Sequence, residues 1–417
     1  MEREFWYSRK QALLFIASLF ILAQIVGSLT PPFQSLDEFN HIKRAYLLSQ
    51  GVVAVDSHAG RTGADIDEGL LGYMDCFEQF PYDYGAKVNR SIIRECGDIH
   101  YTGTRKYSEL ADTVRYFPVL YAPQASALFL GQRLNLSVGD SYNLARLFSL
   151  CTTLTLLLWA LMIYPMSPAA LALFLLPVCL FQLGSASLDA MLLSTTALAA
   201  SLFLRGYRRE APFGATLQMA LAASLIVLVT SQVLYLALTP LLLVLQNVRR
   251  SAAYGISFAV VLGLSVAWLL FALKGHGQGP IAQEVSFFSD ALTVRGHWQM
   301  FIGVLGWLDT PLTPLAYLAL TIELVAILAL STSGVHLRSL SSGHFSLAFT
   351  AGAVPLASLI WTIQIRDILP IIFLVLFGCW TGYRSRRDLL LSYAMLILTA
   401  ASSVRFAVPV LLARYYQ

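Results

Sequence analysis

Long apolar stretches alternate with short polar ones along most of this chain. Several stretches are shorter than the roughly 20 apolar residues that a perpendicular membrane helix needs, so some would be kinked or re-entrant. The pattern predicts an all-α polytopic membrane protein with about eleven transmembrane helices. The candidate spans are residues 11–29, 141–163, 167–184, 188–205, 214–230, 232–247, 253–273, 314–330, 346–362, 368–382 and 389–404.

The composition agrees with a chain that is solvated largely by lipid. Of its 417 residues, 57% are apolar and 12% are charged, whereas soluble domains carry about 25% charged residues. The net charge of +4 indicates no nucleic-acid partner. Arg3, Arg9 and Lys10 precede the first apolar stretch, which has no small-residue cleavage site. We therefore expect a retained span that also acts as a signal anchor.

The stretch 116–134 is the main ambiguity in the topology. It is apolar enough to span, but its two prolines and aromatic start also suit a helix that lies at the interface. Only the interfacial interpretation puts the basic clusters into short cytoplasmic loops, as the positive-inside rule requires. Those clusters contain Arg205, Arg208, Arg209, Arg249, Arg250, Arg338, Arg384, Arg386 and Arg387.

We therefore expect a cytoplasmic N-terminus and a large first periplasmic loop with interfacial helices. The chain then divides into five parts. They are the cytoplasmic tail and first span (1–29), the first periplasmic loop (30–140), a transmembrane bundle (141–273), a second periplasmic loop (274–313) and a C-terminal transmembrane bundle (314–417).

A polar motif follows the first span directly after Thr30-Pro31-Pro32. The segment 35–38 fits the capping-box pattern Ser-x-x-Glu, which predicts a helix from Leu36 to about Gln50 that ends at Gly51. Acids in a first helical turn and bases further on also suit the helix dipole, so a purely structural interpretation stays open. The ionisable residues of this motif are Asp37, Glu38, His41, Lys43 and Arg44.

Other ionisable residues fall near predicted span ends on the same face. Charges at membrane depth are costly, so acids such as Asp189, Asp309 and Asp367 suggest a shared polar site. Arg146 and Arg366 are candidates to hold a phosphate group, because a guanidinium binds phosphate oxygens through two parallel hydrogen bonds. Helix capping by Asp189, snorkelling by Arg146 and an Arg366–Asp367 ion pair are the structural alternatives.

The first periplasmic loop holds further candidates. Cys76 and Cys96 are disulfide candidates if this loop lies outside the cytoplasm. Its aromatic residues would either stack on sugars or form the core of a small outer subdomain. The histidines lack the spacing of a metal site, so we assign no metal ligands, although a divalent metal ion is left open as a helper.

Motifs spread over nearly the whole chain resemble a known family. The motif Pro31-Pro32…Asp37-Glu38…His41 resembles the opening of a widespread family of bacterial polytopic membrane proteins related to GT-C-fold glycosyltransferases. The likeness continues through the segments 116–118, 123–124, 145–148, 180–190, 305–311 and 364–370. In size and layout the chain also resembles the phage-type O-antigen glucosyltransferases of serotype conversion.

This resemblance implies an inverting glycosyltransferase of the bacterial inner membrane, with its site on the periplasmic face. The donor would be undecaprenyl phosphate carrying a sugar, expected to be glucose, and the acceptor the O-antigen of lipopolysaccharide. Asp37 would be the general base with Glu38 beside it, and Asp189 a second acid. The expected substrate-binding residues are His41, Lys43, Arg44, Arg146, Asp309, Gln364, Arg366 and Asp367.

Two alternatives remain at the level of sequence. One is a flippase or transporter of lipid-linked sugars, which would need charges along a path open to both leaflets. The other is a GT-C enzyme that uses another sugar or polymerises a glycan. Membrane lipids are partners in every case.

Overall fold

The computed structural model describes residues 8–417 except 54, 56, 59–60, 82, 111–112, 114–115, 209–211, 274–293, 333–371 and 377–384. The described part is mostly helical. In chain order its main helices are α1 (Arg9–Ser28), α2 (Glu38–Ser49), α3 (Glu68–Asp75), α4 (Arg90–Gly97), α5 (Ala122–Arg133), α6 (Val138–Ile163), α7 (Pro168–Leu175), α8 (Pro177–Leu183), α9 (Asp189–Tyr207), α10 (Ala215–Ser231), α11 (Leu241–Arg249), α12 (Ala252–Leu273), α13 (Val294–Gly303), α14 (Pro314–Thr332) and α15 (Arg386–Tyr415).

Six of the described helices are long and apolar enough to cross a membrane, namely α1, α6, α9, α12, α14 and α15. They correspond to six of the predicted spans. In an apolar 18-residue stretch of α9, 89% of the residues are buried, whereas in the corresponding stretch of α12 only 17% are buried. The α9 helix therefore lies at the centre of the bundle, whereas most of the α12 surface is available to lipid.

Two predicted spans are broken by proline, in agreement with the expectation that some of the short stretches are kinked or re-entrant. The stretch 167–184 forms α7 and α8, because Pro177 cannot continue a helix and Leu176 before it is extended (φ −63°, ψ 147°). The stretch 232–247 forms a 3₁₀ helix (Val233–Leu238) and then α11, with Pro240 between them. The predicted span 346–362 lies outside the described residues, as does most of 368–382.

The helix α15 is much longer than predicted. It has 30 residues and continues through Pro409 to Tyr415, whereas the apolar pattern ends near residue 404. Its last turns carry it into the outer part of the molecule, where Lys87 Nζ donates to the carbonyl oxygens of Ala413 (2.7 Å) and Arg414 (3.0 Å).

The ambiguous stretch 116–134 forms a 3₁₀ turn (Pro118–Tyr121) and the 12-residue α5. At 1.5 Å per residue α5 is about 18 Å long, which is too short to span a bilayer. It packs against α2 and α6. The structure thus agrees with a helix of the outer subdomain rather than a further span.

The outer subdomain, residues 30–137, also contains strands, which the all-α expectation missed. Strands β1 (Ser57–His58), β2 (Arg61–Asp67) and β3 (Arg105–Glu109) form an antiparallel sheet in which Gly63 pairs with Glu109 and Asp67 with Arg105. A second, two-stranded sheet pairs β4 (Val304–Leu305) with β5 (Thr310–Pro311). The β2 segment has few β-branched or aromatic residues, so its strand conformation depends on pairing with a distant segment.

Two ends of the bundle can be told apart by their polar contacts. At the end that holds the α1 C-terminus, Arg146 near the start of α6 donates to the carbonyl oxygen of Thr30 at 3.0 Å. At the opposite end, Arg205 donates to Ile163 O (3.4 Å) and Arg249 to Gly206 O (2.7 Å). The first end is called the site end below.

Candidate functional site

The turn that follows α1 has an unusual backbone. Phe33 (φ 62°) and Asp37 (φ 60°) both adopt the left-handed conformation, although neither is glycine. Such a residue costs of order 1–3 kcal/mol and persists only where the surroundings fix it. Here the Phe33 N–H donates to Tyr142 Oη (3.0 Å), and Trp307 Nε1 donates to the Phe33 carbonyl oxygen (3.0 Å). Contacts from two distant segments therefore hold this turn.

The left-handed conformation of Asp37 sets where α2 begins. Asp37 is the N-cap residue, without a side-chain cap bond, so α2 starts at Glu38 and not at the predicted Leu36. Half of the expected capping box is present, since Glu38 Oε2 accepts from the Ser35 N–H at 3.1 Å. The predicted end at Gly51 (φ 81°) is correct, and the Val52 N–H closes the helix on Leu47 O at 2.9 Å.

Glu38 is fully buried and joins three separate parts of the chain. Its Oε1 accepts from Tyr142 Oη and from the Ala186 N–H, both at 2.7 Å. Arg146 Nε lies 3.9 Å from the same oxygen. A carboxylate enclosed in this way connects these parts of the chain. The catalytic role expected of Glu38, beside Asp37, stays a prediction.

Arg146 binds the end of α1. Its Nη1 donates to Gly27 O (3.2 Å) and Thr30 O (3.0 Å), its Nη2 to Pro31 O (2.9 Å), and its Nε to Tyr142 Oη (2.8 Å). Gly27 lies in the last turn of α1, and Thr30 and Pro31 follow it, so the guanidinium lies at a helix C-terminus, where a cation is favourable. Most N–H groups of the guanidinium are thus committed to the protein, and the expected phosphate contact stays a prediction.

Asp37 and Asp189 flank this junction and are both partly exposed. Asp189 is the first residue of α9, and its Oδ2 accepts from Gln182 Nε2 at 3.1 Å. Three residues earlier, the Ala186 peptide is fixed on one side by Glu38 and on the other by Gln124 Nε2, which donates to Ala186 O at 3.3 Å. The structure thus ties the starts of α2 and α9 to one junction.

A close backbone contact brings the segment 184–188 to this place. A Cβ added at Gly184 would lie 2.8 Å from Ala23 O and 2.8 Å from Gly27 Cα. Side chains larger than hydrogen are therefore excluded where α8 ends against α1. Gly184 and Gly27 both lie at the site end. Their close contact therefore allows Ala186 to reach Glu38.

The other predicted ligands on α2 make contacts within the protein. His41 is buried, with Nδ1 2.9 Å from Tyr121 Oη. Arg44 is also buried and donates to Val53 O at 2.6 Å. Burial lowers the pKa of the Arg44 guanidinium. Both residues thus connect α2 to other parts of the outer subdomain, and the expected substrate contact stays a prediction.

Lys43 lies on the same helix and is half-buried. Its Nζ donates to Glu109 O at 3.3 Å. Burial lowers the pKa of this ammonium group, and the nearby Glu78, Asp75 and Glu109 oppose that shift. Lys43 therefore connects α2 to strand β3.

Asp309 pairs with an arginine that sequence reasoning missed. Arg414 is fully buried, and its Nη2 and Nε lie 2.8 and 3.1 Å from Asp309 Oδ2. The same guanidinium donates to Phe80 O and lies over the Tyr84 ring, 4.8 Å from its centroid. Asp309 thus anchors α15 to the outer subdomain, whereas we expected a substrate ligand. In the sequence, the position of Arg414 beyond the last apolar run was the signal that could have pointed to this pair.

The remaining expectations divide into two groups. Gln364, Arg366 and Asp367 lie outside the described residues and stay predictions. Cys76 and Cys96 form a disulfide in the structure. No group of three or more His, Cys, Asp or Glu residues that suits a metal ion occurs within the described part of the chain.

Most of the chain is similar to a known protein family. A sequence model of the DUF2142 family, described as a predicted membrane protein, matches residues 19–375. The chain belongs to this family. The matched region includes the turn after α1, the Glu38 junction and Asp189, while α15 lies beyond it. No curated protein matches the chain.

Two solved structures are similar to this chain over part of their length. ArnT from Cupriavidus metallidurans bound to undecaprenyl phosphate has a TM-score of 0.47 and 15% identity, over 95% of this chain and 64% of that one. Apo ArnT from the same organism has a TM-score of 0.38 and 15% identity, over 80% and 57%. This chain therefore spans less than two thirds of the length of either ArnT chain.

Proposed function

We propose that this protein is a glycosyltransferase that moves a sugar from a polyprenyl-phosphate donor to a glycan acceptor at the site end of the bundle. The observation that carries the proposal is the placement of Asp37. This carboxylate is partly exposed, lies nine residues after the membrane helix α1, and sits in a left-handed turn that buried neighbours hold on both sides. The GT-C resemblance of the surrounding motif supports the same reaction.

In the proposed reaction Asp37 is the general base. It accepts the proton of an acceptor hydroxyl while that oxygen forms a bond to the anomeric carbon of the donor sugar. The bond between this carbon and the phosphate oxygen breaks, the polyprenyl phosphate leaves, and the anomeric centre inverts. Asp37 suits this role better than Glu38, because Glu38 is fully buried.

The other residues take supporting roles in this proposal. Asp189 is the second acid, at the start of α9. Arg146 and Glu38 are positioning residues, because they bind backbone groups and the shared Tyr142 hydroxyl. The leaving phosphate needs positive charge, and for this we retain Arg366 with Gln364. Asp367 stays a candidate for the acceptor side.

The finer details also belong to the proposal. We infer that the donor is undecaprenyl phosphate-linked glucose, that the acceptor is the O-antigen of lipopolysaccharide, and that the protein acts in the bacterial inner membrane as serotype-converting enzymes do. The arginines at the end opposite the site support this orientation, because basic residues concentrate in cytoplasmic loops. The site end would then face the periplasm.

One feature favours a second candidate, a flippase of lipid-linked sugars. Discontinuous helices such as α7 and α8 are typical of substrate sites in transporters. Here, however, every residue from 166 to 188 is buried. A pathway for a lipid-linked sugar would require the surroundings of this break to open.

A transfer assay with the purified full-length protein in proteoliposomes tests the proposal. The donor is radiolabelled undecaprenyl-phosphate-glucose and the acceptor is lipopolysaccharide, with donors that carry other sugars run in parallel. We expect Asp37→Asn to reduce transfer by at least about 100-fold, the usual contribution of a general base, without changing the melting temperature. Asp65→Asn, an exposed carboxylate on β2, is the matched control and keeps full activity.

The outcomes separate the candidate functions. If Asp37→Asn transferred the sugar at the wild-type rate, another residue would have to be the base. Movement of the lipid between leaflets without transfer by the wild-type protein would favour the flippase. Transfer from a different sugar donor alone would keep the reaction class and change the substrate.

A further inference from the structure

A cleft of about 320 Å³ opens at the far end of α2 from Asp37, and the reaction proposed above leaves it unused. Three segments enclose it: the C-terminal turn of α2, the C-terminal turn of α5, and the loop that leads into β3. Tyr46, Gln50, Arg105, Gln132 and Asn135 are among its lining residues. Its volume is within the range of small-molecule sites.

Hydrogen-bonding groups cross this cleft in a row. Arg105 Nη2 donates to Gln50 Oε1 at 3.2 Å, and Gln50 Nε2 donates to Gln132 Oε1 at 2.9 Å. His100 adds an acceptor, because its Nδ1 lies 2.8 Å from Asp98 O, and a neutral ring that donates there accepts at Nε2. The wall thus presents both donors and acceptors.

An aromatic pair forms another part of the lining. The rings of Tyr46 and Tyr101 are stacked, with centroids 6.4 Å apart and an angle of 11° between their planes. Aromatic rings that carry a polar end offer an apolar face beside hydrogen-bonding groups. Sugars have the matching surface, with apolar C–H faces and hydroxyl edges.

The charges around the cleft leave no excess of positive charge. Asp67 is buried, and its carboxylate is satisfied by four backbone N–H groups, among them Gly69 (2.8 Å) and Gly103 (2.8 Å). The C-termini of α2 and α5 each contribute about half a negative charge, and the Arg105 guanidinium offsets them. A neutral ligand with many hydroxyl groups suits such a site better than an anionic lipid headgroup.

The cleft also lies on the outer side of the Glu38 junction. Along α2, whose 12 residues rise 1.5 Å each, the cleft is about 18 Å from Asp37. The lining residue Leu136 precedes α6, and along α6 the eight residues from Val138 to Arg146 already span about 12 Å. A donor lipid would reach Asp37 from the membrane, while a water-soluble acceptor could extend across the cleft.

We propose that this cleft is an acceptor subsite that binds a neutral sugar unit of the glycan, at a distance from the unit that is modified. The inference rests on the proposed function for its place in the reaction, but the binding itself does not require catalysis.

The experiment measures binding and kinetics with the full-length protein in nanodiscs. The probe is the polysaccharide released by mild acid from the lipopolysaccharide that serves as acceptor in the transfer assay. Two variants change the cleft in different ways. Gln132→Met removes an amide at nearly constant length, and Asn135→Gly removes an exposed amide at a position whose backbone (φ 53°) glycine adopts readily. Gln79→Met, at an exposed site elsewhere in the outer subdomain, is the matched control.

We expect both cleft variants to weaken polysaccharide binding about tenfold, the effect of one or two lost hydrogen bonds. The KM for the acceptor should rise by the same factor, while kcat and the KM for the donor lipid stay unchanged. The Gln79→Met control should bind as the wild-type protein does. Absence of wild-type binding, or wild-type affinity in both cleft variants, would overturn the subsite.

Failure of the subsite and failure of the proposed function give different results. Transfer that proceeds with an unchanged acceptor KM in both variants rejects the subsite and keeps the enzyme. Polysaccharide binding that depends on Gln132 and Asn135, without any transfer by the wild-type protein, keeps the subsite and rejects the enzyme.

Discussion

The backbone N–H of Ala186 donates a hydrogen bond of 2.7 Å to the buried Oε1 of Glu38, although 148 residues separate the two along the chain. This bond fixes the segment before α9 against the first turn of α2. Because Asp37 precedes Glu38 and Asp189 follows Ala186 by three residues, the two partly exposed carboxylates depend on one buried carboxylate for their placement.

We expect Glu38→Gln to unfold the protein more easily. The amide keeps one acceptor oxygen, while three donors, from Ser35, Tyr142 and Ala186, point at the two oxygens of Glu38. At least one buried donor would lose its acceptor, which costs about 1–3 kcal/mol. A thermal melt of the purified protein in detergent should show a lower midpoint.

Glu95→Gln is the matched control for this prediction, because Glu95 is exposed on α4. Its melting midpoint should equal that of the wild-type protein. Wild-type stability in Glu38→Gln would mean that the junction contributes little. Lost transfer without lost stability would return Glu38 to the group of catalytic acids.

The apolar pattern predicted the helices that later proved long enough to span, because burial in lipid needs only local apolarity. It also placed Asp37 at the end of a span, since Pro31 and Pro32 mark that end in the sequence. The bond from Ala186 to Glu38 left no local signal. Likewise, β2 contains no strand pattern of its own and pairs with β3 some 40 residues later.

We expect Gly184→Ala to destabilise the contact between α1 and α8. A Cβ at Gly184 would lie 2.8 Å from Ala23 O and from Gly27 Cα, both of which are backbone atoms that cannot move aside. Forcing extra atoms into a close-packed contact costs typically 1–3 kcal/mol. The same displacement would loosen Ala186, so transfer activity should fall together with the melting midpoint.

Gly263→Ala, in the apolar α12, is the matched control. A Cβ there would meet nothing within 4 Å, and alanine is the better helix former by about 1 kcal/mol. The control should therefore melt at the same temperature as the wild-type protein or slightly higher. Equal behaviour of the two alanine variants would contradict the close contact at Gly184.

Prolines explain why two of the predicted spans are each divided into two helices. Pro177 and Pro240 are visible in the sequence, but an apolar run alone does not show whether a proline kinks a span or ends it. The length of α15 raised the opposite problem, because Arg405 and Pro409 interrupt the apolar pattern while the helix continues to Tyr415. Its last turns are stabilised by contacts with the outer subdomain, which no local pattern records.

The pair Asp309–Arg414 should be the strongest ionic contact of the described residues at the site end. The Arg414 side chain is fully buried, whereas 23% of the Asp309 side chain is exposed. Asp309→Asn therefore leaves a buried cation without its counter-charge, and breaking a buried pair costs about 3–5 kcal/mol. Thermal melts in detergent at low and high salt measure this cost, which should change little with salt because the pair is shielded from it.

A double-mutant cycle with Arg414→Met separates the ion pair from the other contacts of Arg414. Arg414→Met alone also removes the hydrogen bond to Phe80 O and the contact with the Tyr84 ring. If the pair is coupled, the double variant should be more stable than the sum of the single effects predicts, by about 0.5–3 kcal/mol. Arg405→Met, exposed on the same helix, is the control and should leave the midpoint unchanged. Strictly additive effects would show that Asp309 and Arg414 act independently, and Asp309 would again be open to a direct role toward the substrate.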